Sequence, residues 1–371
     1  MLDSWYNFII LEIHLMKINY LFRKVEMRIP DIEIKKEVSR RFQEARNISR
    51  PEKCLLCGKK LTKLCNSHSV PQFVLKHLSE NGKIMQSSLL MAFEDIDMFE
   101  TEKGVKNSGT FKFICHSCDK EFFSDYESED ALLGEISDKM LAEIALKNEL
   151  LNVSKRSQEV ALYSSLPEKI IGIDYMIDLY SLDLRDFLQE VEVHKREILN
   201  NTKGGYQIIY KEVLPFVVPI ATQVAITLRV DMYGYLVNDV YNPDPKIKMQ
   251  DLHLVIFPLK ESSLVLAFYH KKDKKYRTLR HQFNSENSER TKEFLNYLVF
   301  AYTENFFISK KICENIQSNK KLIQLSRELY QKPNLGNLSM YDFFNLKYEP
   351  VKPDEIPNFL TKDWALGENN E

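Results

Sequence analysis

Four cysteines in two Cys-x2-Cys pairs constrain this sequence more than any other feature. Cys54 and Cys57 form the first pair, and Cys115 and Cys118 form the second pair after 57 intervening residues. Thiolates paired at this spacing are typical ligands of tetrahedral zinc. We therefore predict one structural zinc site with four thiolate ligands, and we expect the N-terminal part of the chain to fold around it.

The cysteine pairs have other interpretations, which the rest of the sequence disfavours. Two pairs of buried thiols without a metal are the main alternative. Disulfides do not suit a reducing compartment, and a thioredoxin-like redox site needs a βαβ context that neither pair has. Gly58 directly follows the first pair, where such a turn often needs a positive φ. Cys65 and Cys313 are interpreted as ordinary thiols.

Length and composition describe a soluble globular chain. It has 371 residues, of which 44% are hydrophobic and 28% are charged, so two or three domains are expected. No run approaches the roughly 18–20 apolar residues needed to span a bilayer. The apolar start lacks the charged region and cleavage site of a signal peptide. We interpret residues 1–26 as an over-extended start, because Met27 begins a cleaner amphipathic helix, and we expect a cytoplasmic protein without membrane association.

The hydrophobic pattern changes its period along the chain. A helical stripe formed by Ile34, Val38 and Phe42 precedes the cysteines, and the pattern from Ser128 to about Asn201 is again helical. Segments rich in β-branched and aromatic residues follow, which predicts antiparallel strands. They are Tyr206–Leu214, Thr222–Val230, Leu252–Phe257, Ser263–Tyr269 and Tyr276–Phe283. Helices are predicted again at Glu289–Ser309 and about Lys311–Tyr330.

These elements predict an α+β protein with a modular order. We assign residues 27–130 to a zinc-binding module, 131–203 to a helical middle, 204–331 to a C-terminal antiparallel sheet with helices, and 332–371 to an irregular tail.

A histidine motif lies between the two cysteine pairs. Residues 66–76 read NSHSVPQFVLK, with Pro71 three residues after His68. This motif, flanked by the two cysteine pairs, resembles the HNH endonuclease family over about residues 50–130. It is also similar to a segment near the start of bacterial proteins often labelled HNH-like. The resemblance implies a treble-clef, or ββα-metal, module stapled by zinc.

The resemblance also implies a chemistry. His68 takes the place of the general base that activates water, which requires an imidazole that titrates near neutrality. Asp119 directly follows the second cysteine pair, where the family has its last metal ligand, and an aspartate can ligate Mg²⁺ or Mn²⁺. Two other roles for His68 stay open from the sequence: a hydrogen-bonded structural residue beside the zinc, or a zinc ligand.

Positive charge is local in this chain. The formal net charge of −2 argues against a uniformly basic nucleic-acid-binding surface. Arg40 and Arg41 lie in the first predicted helix, and the segment His270–His281 (HKKDKKYRTLRH) contains six Lys or Arg residues. Lysine and arginine neutralise phosphates. Nucleic-acid binding, if present, is therefore predicted at Arg40, Arg41, Lys274 and Lys275.

The leading hypothesis is a zinc-stapled, HNH-like endonuclease that cleaves DNA or RNA with a divalent cation, while the C-terminal body recognises the substrate or a partner. The alternative is a non-catalytic zinc module that binds nucleic acid or a protein. In a third interpretation the C-terminal body is the active part and the zinc module is its structural lid. The sequence has no Walker loop, Rossmann glycine pattern or nucleophile elbow, so nucleotide hydrolysis and serine-hydrolase chemistry lack support.

Overall fold

A computed structural model describes residues 31–60, 65–87, 102–165, 173–240, 244–331 and 351–367. The expectation for residues 1–26, and the first part of the predicted tail, lie outside the described residues. The described chain mixes helices with antiparallel sheets, which confirms the predicted α+β class.

The helices and strands are named in chain order. The helices are α1 (Asp31–Ile48), α2 (Gln72–Leu78), α3 (His116–Phe122), α4 (Glu129–Leu133), α5 (Asp138–Ser164), α6 (Ile173–Asn200), α7 (Arg277–Ser285), α8 (Ser288–Tyr302), α9 (Cys313–Ser318) and α10 (Lys320–Gln331). The strands are β1 (Ser67–His68), β2 (Lys83–Gln86), β3 (Lys103–Gly104), β4 (Thr110–Phe111), β5 (Tyr206–Leu214), β6 (Ile220–Ile226), β7 (Leu252–Pro258), β8 (Ser263–His270) and β9 (Phe306–Ile308). Short 3₁₀ turns lie at Val105–Asn107, Lys274–Tyr276, Lys310–Ile312, Pro353–Glu355 and Lys362–Trp364.

A seven-stranded sheet organises the fold. Its strand order is β3-β2-β9-β6-β7-β8-β5, and each neighbouring pair is antiparallel. Because β2 and β3 lie between the two cysteine pairs in sequence, the zinc module supplies one edge of the main sheet. The module is therefore joined to the C-terminal body by backbone hydrogen bonds as well as by side-chain packing.

The sheet is covered on both faces, as the side chains of strand β7 show. Successive side chains of a strand point to opposite faces. Leu254 and Ile256 of β7 pack in the same apolar core as α8, whereas Val255 and Phe257 pack in a second core with α5 and the zinc module. All residues of β7 are buried, so its sequence is apolar almost without interruption.

The predicted strand Tyr276–Phe283 is wrong, because α7 begins at Arg277. Tyr276 is fully buried, and its hydroxyl donates to the carbonyl oxygens of Ile226 at 3.1 Å and Gln250 at 2.7 Å. Leu279 and Phe283 are the next buried apolar residues. Spacings of three and four residues place them on one face of a helix, so the aromatic composition indicated the wrong element.

The predicted helix Glu289–Ser309 is correct only in its first part. Helix α8 ends at Tyr302, and Phe306–Ile308 forms β9 between β2 and β6. A three-residue strand is too short to show a period of its own. None of the described helices combines the length and the apolar character that crossing a bilayer requires.

Candidate metal centre and adjoining polar site

The two cysteine pairs meet in one cluster. The sulfur atoms of Cys54, Cys57, Cys115 and Cys118 all lie within 4.8 Å of one another, and the sulfurs of Cys57 and Cys115 are 3.9 Å apart. Sulfurs bound to a tetrahedral zinc ion at about 2.3 Å are separated by roughly 3.8 Å. The four cysteines could therefore hold a metal ion such as zinc.

A tight turn presents the first pair. The amide of Gly58 donates to the carbonyl oxygen of Cys54 at 2.8 Å, and Gly58 has a φ of +70°, which confirms the expectation for this position. The amide of Cys115 donates to the sulfur of Cys54 at 3.3 Å. Amide donors of this kind stabilise negative charge on sulfur, so the backbone itself favours thiolates at this centre.

The second pair lies at the start of α3. Cys115 precedes the helix in an extended conformation, and Cys118 is buried within it. Burial, followed by hydrogen bonds with Cys115 and Cys57, raises the pKa of the Cys118 thiol. A cation among the sulfurs would offset this effect and stabilise the thiolate. The remaining cysteines, Cys65 and Cys313, are buried, and neither belongs to the cluster.

His68 lies on the two-stranded ladder that adjoins the cysteines. It pairs with Thr110 across β1 and β4, and its Nε2 atom lies 3.1 Å from the carbonyl oxygen of Val105. Burial lowers the pKa of the His68 imidazole, and the nearby Lys147 ammonium lowers it further, while the Val105 contact acts in the opposite direction. The result is a half-buried imidazole whose pKa lies below its ordinary value.

Asp119 lies at the start of α3, one residue after Cys118, and it is already paired. Its Oδ1 atom accepts a hydrogen bond from the Ser67 hydroxyl at 2.6 Å and another from the Lys147 ammonium at 3.0 Å. Its Oδ2 atom lies 3.4 Å from the sulfur of Cys65. Burial would raise the pKa of Asp119, but Lys147 and Ser67 outweigh it, so the pKa lies below its ordinary value. Asp119 is therefore an ionised carboxylate with a cationic partner.

Lys147 is the functional residue that the sequence interpretation missed. Its side chain is 1% exposed, and its ammonium bonds Ser67 at 3.0 Å, contacts Glu127 at 3.3 Å and lies 3.6 Å from the centre of the Phe123 ring. A buried ammonium is retained only with such compensation. The available signal was the pair Glu143 and Lys147, one helical turn apart within an otherwise apolar run.

The four predicted nucleic-acid contacts have different surroundings. Arg40 forms ion pairs with Glu37 at 2.7 Å and Glu44 at 2.5 Å, and Arg41 contacts Glu37 at 3.0 Å. Lys274 is exposed, and the Lys275 ammonium donates to the Asn238 side chain at 3.2 Å. Phosphate binding at Arg40 and Arg41 would thus compete with neighbouring carboxylates, whereas Lys274 has no such carboxylate among the described residues.

Gly109 connects the ladder to the main sheet. Its φ is +59°, and a Cβ atom there would overlap the buried ring of Phe307 and lie 2.9 Å from the Ser69 hydroxyl. Gly109→Ala is therefore expected to lower the free energy of unfolding by about 1–3 kcal/mol.

Chemical denaturation measures this effect, and Gly104→Ala is the matched control. Gly104 has a φ of −62° and open space around the added atom, so a loss of stability below about 0.5 kcal/mol is expected. Equal effects of the two substitutions would contradict the steric argument.

Comparison with known proteins adds no assignment to this geometry: no family model, no curated protein and no solved structure matched the chain.

Proposed function

We propose that this protein is a zinc-stapled, HNH-like endonuclease in which His68 is the general base. The observation that supports this function best is the contact between His68 Nε2 and the carbonyl oxygen of Val105. A carbonyl can only accept, so Nε2 carries the proton and Nδ1 keeps its lone pair. No partner of Nδ1 is found among the described residues.

The proposed chemistry follows from this tautomer. Nδ1 of His68 would take a proton from the water molecule that attacks the phosphorus of a phosphodiester. Burial lowers the pKa of His68, which favours the neutral imidazole that a general base requires but also makes it a weaker base. The Val105 carbonyl holds the ring in place and stabilises the imidazolium that forms.

Zinc in this proposal is structural. Cys54, Cys57, Cys115 and Cys118 would complete a tetrahedral shell, which has no open position for a substrate. The metal would fix the turn before β1 and the start of α3, and thereby position His68 and Asp119 within one small module. The treble-clef arrangement implied by the HNH resemblance belongs to the same proposal.

A catalytic Mg²⁺ or Mn²⁺ fits the residues only in part. Carboxylate oxygens are suitable ligands, and Asp119 and Glu127 lie on either side of the Lys147 ammonium. The cation would have to compete with that ammonium for Asp119, whose Oδ1 atom is also bonded to Ser67. We therefore assign no reaction step to a bound cation, and we assign to Lys147 the role of keeping Asp119 ionised.

The same ion pair supports a second candidate function. The partly buried Asp119 carboxylate is neutralised by Lys147, which suits a non-catalytic zinc module that binds nucleic acid or a protein partner. In that case His68 is a structural residue that satisfies the carbonyl oxygen of Val105.

Cleavage assays separate the two functions. Purified protein is incubated with plasmid DNA and with RNA in the presence of Mg²⁺ or Mn²⁺, beside His68→Ala and the control His116→Ala. His116 is exposed in the same module. The nuclease proposal predicts cleavage by the parent protein, a loss of about 10²–10⁴-fold in His68→Ala and no loss in His116→Ala.

The outcome that would refute the nuclease is equally specific. A parent protein inert on every substrate and metal, together with an altered melting temperature in His68→Ala, assigns His68 a structural role. Loss of the Val105 hydrogen bond alone is expected to cost about 1 kcal/mol, so a folded, zinc-bound His68→Ala protein is available for the comparison.

A further inference from the structure

We propose that Glu149, His194 and His253 form a second, fully buried binding site for a divalent transition-metal ion such as Zn²⁺. The three residues come from α5, α6 and β7, and their side chains are 0–1% exposed. One ligand atom from each lies within 4.8 Å of the other two. The site is separate from the four cysteines, and it does not depend on the proposed nuclease function.

The donor set suits such an ion. Two imidazoles and one carboxylate are a recurrent zinc ligand set, with metal–ligand distances of about 2.0–2.2 Å. Three evenly spaced atoms that bind one ion at those distances are at most about 3.8 Å apart. A contraction of up to about 1 Å in the separations of the ligand atoms therefore lets all three residues bind one ion.

Each histidine has a partner on its other ring nitrogen. His194 Nδ1 lies 2.7 Å from the Tyr206 hydroxyl, and His253 Nδ1 lies 3.2 Å from the Asn148 side-chain amide. The Asn148 oxygen is buried and without a hydrogen-bond partner, and rotating the amide lets that oxygen accept from Nδ1–H. Nε2 of His253 is then available to a metal, the outer-shell arrangement that orients metal-binding histidines. Nε2 of His194 lies 3.9 Å from the Glu190 carboxylate, a contact that metal binding would replace.

One oxygen of the Glu149 carboxylate supports a bound cation at this site. Glu149 is fully buried, and its Oε1 atom has no hydrogen-bond partner within the described part of the chain. Its other oxygen accepts from Asn152 at 3.3 Å. A buried carboxylate oxygen without a partner is costly. A cation bound by this carboxylate and the two imidazoles would supply the missing partner.

Nearby charges agree with a cation. The Asp251 and Glu190 carboxylates lie close enough to Glu149 to interact with it electrostatically, and negative charge attracts a cation. The Lys248 and Lys272 ammonium groups are paired with Glu190, and among the described residues neither forms a salt bridge with Glu149.

The position of the site suggests its effect on the fold. Lys147 and Glu149 are two residues apart in α5, and a turn of about 100° per residue points them to opposite sides of the helix. Lys147 faces the zinc module, and Glu149 faces α6 and the sheet. An ion at the second site would therefore join the long helices to β7, whereas the cysteine site lies within the N-terminal module.

Metal content tests the proposal on the full chain. Wild-type protein and Glu149→Gln are equilibrated with Zn²⁺, freed of excess metal and measured by inductively coupled plasma mass spectrometry. We expect about two equivalents in the wild type and about one in Glu149→Gln, which keeps the size of the side chain but loses its charge. One equivalent in both proteins would overturn the proposal.

A cobalt titration of the wild type keeps the test independent of how the variant folds. Thiolate ligands give Co²⁺ an intense sulfur-to-metal charge-transfer band, which imidazole and carboxylate ligands lack. We expect a first equivalent that develops this band and a second equivalent that adds only visible d–d absorption. Uptake that stops when the thiolate band is saturated would refute the second site.

Discussion

Cys118→Ser is expected to abolish stable zinc binding at the four-cysteine centre and to unfold the zinc module. Structural zinc supplies roughly 10 kcal/mol or more of binding free energy in small zinc modules, whereas a whole domain is stable by only about 5–15 kcal/mol. Since β2 and β3 belong to the main sheet, part of this loss will extend to the C-terminal body. Zinc content and thermal melting measure the two effects together.

Cys65→Ser is the matched control for this experiment. Cys65 is a buried thiol of the same module, but it lies outside the four-cysteine cluster and contacts Asp119. It is expected to keep the zinc content of the wild type. A Cys118→Ser protein with unchanged zinc content and melting temperature would show that the cluster is a set of buried thiols.

Lys147→Met is expected to destabilise the protein by about 1–3 kcal/mol, because it removes the buried ammonium that compensates the partly exposed carboxylates of Asp119 and Glu127. Asp119 and Glu127 would then face each other without the ammonium between them. Adding Asp119→Asn should recover part of the loss, since it removes one of the unpaired charges. Urea denaturation of the two single variants and the double variant measures this coupling.

Lys139→Met provides the comparison on the same helix. Lys139 pairs with Asp125 at 2.8 Å, but its side chain is 30% exposed, and such a pair contributes about 0–1 kcal/mol. Similar losses for Lys147→Met and Lys139→Met would mean that the buried ammonium does not organise the site.

The sequence predicted those parts of the fold in which local pattern and final burial agree. β5 was predicted with its observed bounds, and β7 and β8 to within one residue, because these segments contain apolar and aromatic residues in an extended pattern between turns. The four cysteines were recognisable for a similar reason, because each Cys-x2-Cys spacing is visible within a short segment. Only the contact between the two pairs is long-range.

The parts that were missed depend on contacts across the chain. Tyr276 is aromatic because it fills the core and bonds two carbonyl groups, and this requirement is independent of a strand. Lys147 acquires its role only when α5 packs against β1 and α3. His194 and His253 are isolated in sequence, and the packing of α6 on β7 is what brings them to Glu149. The hydrophobic periodicity of a single segment carries no information about such long-range contacts.

The central claim, a zinc ion held by Cys54, Cys57, Cys115 and Cys118, is tested most directly by X-ray absorption at the zinc edge. The Glu149→Gln variant is the appropriate sample, because it removes the second proposed site and leaves one class of zinc. The account predicts a single shell of four sulfur atoms at about 2.3 Å. A shell that contains nitrogen or oxygen, or fewer than four sulfurs, would contradict it.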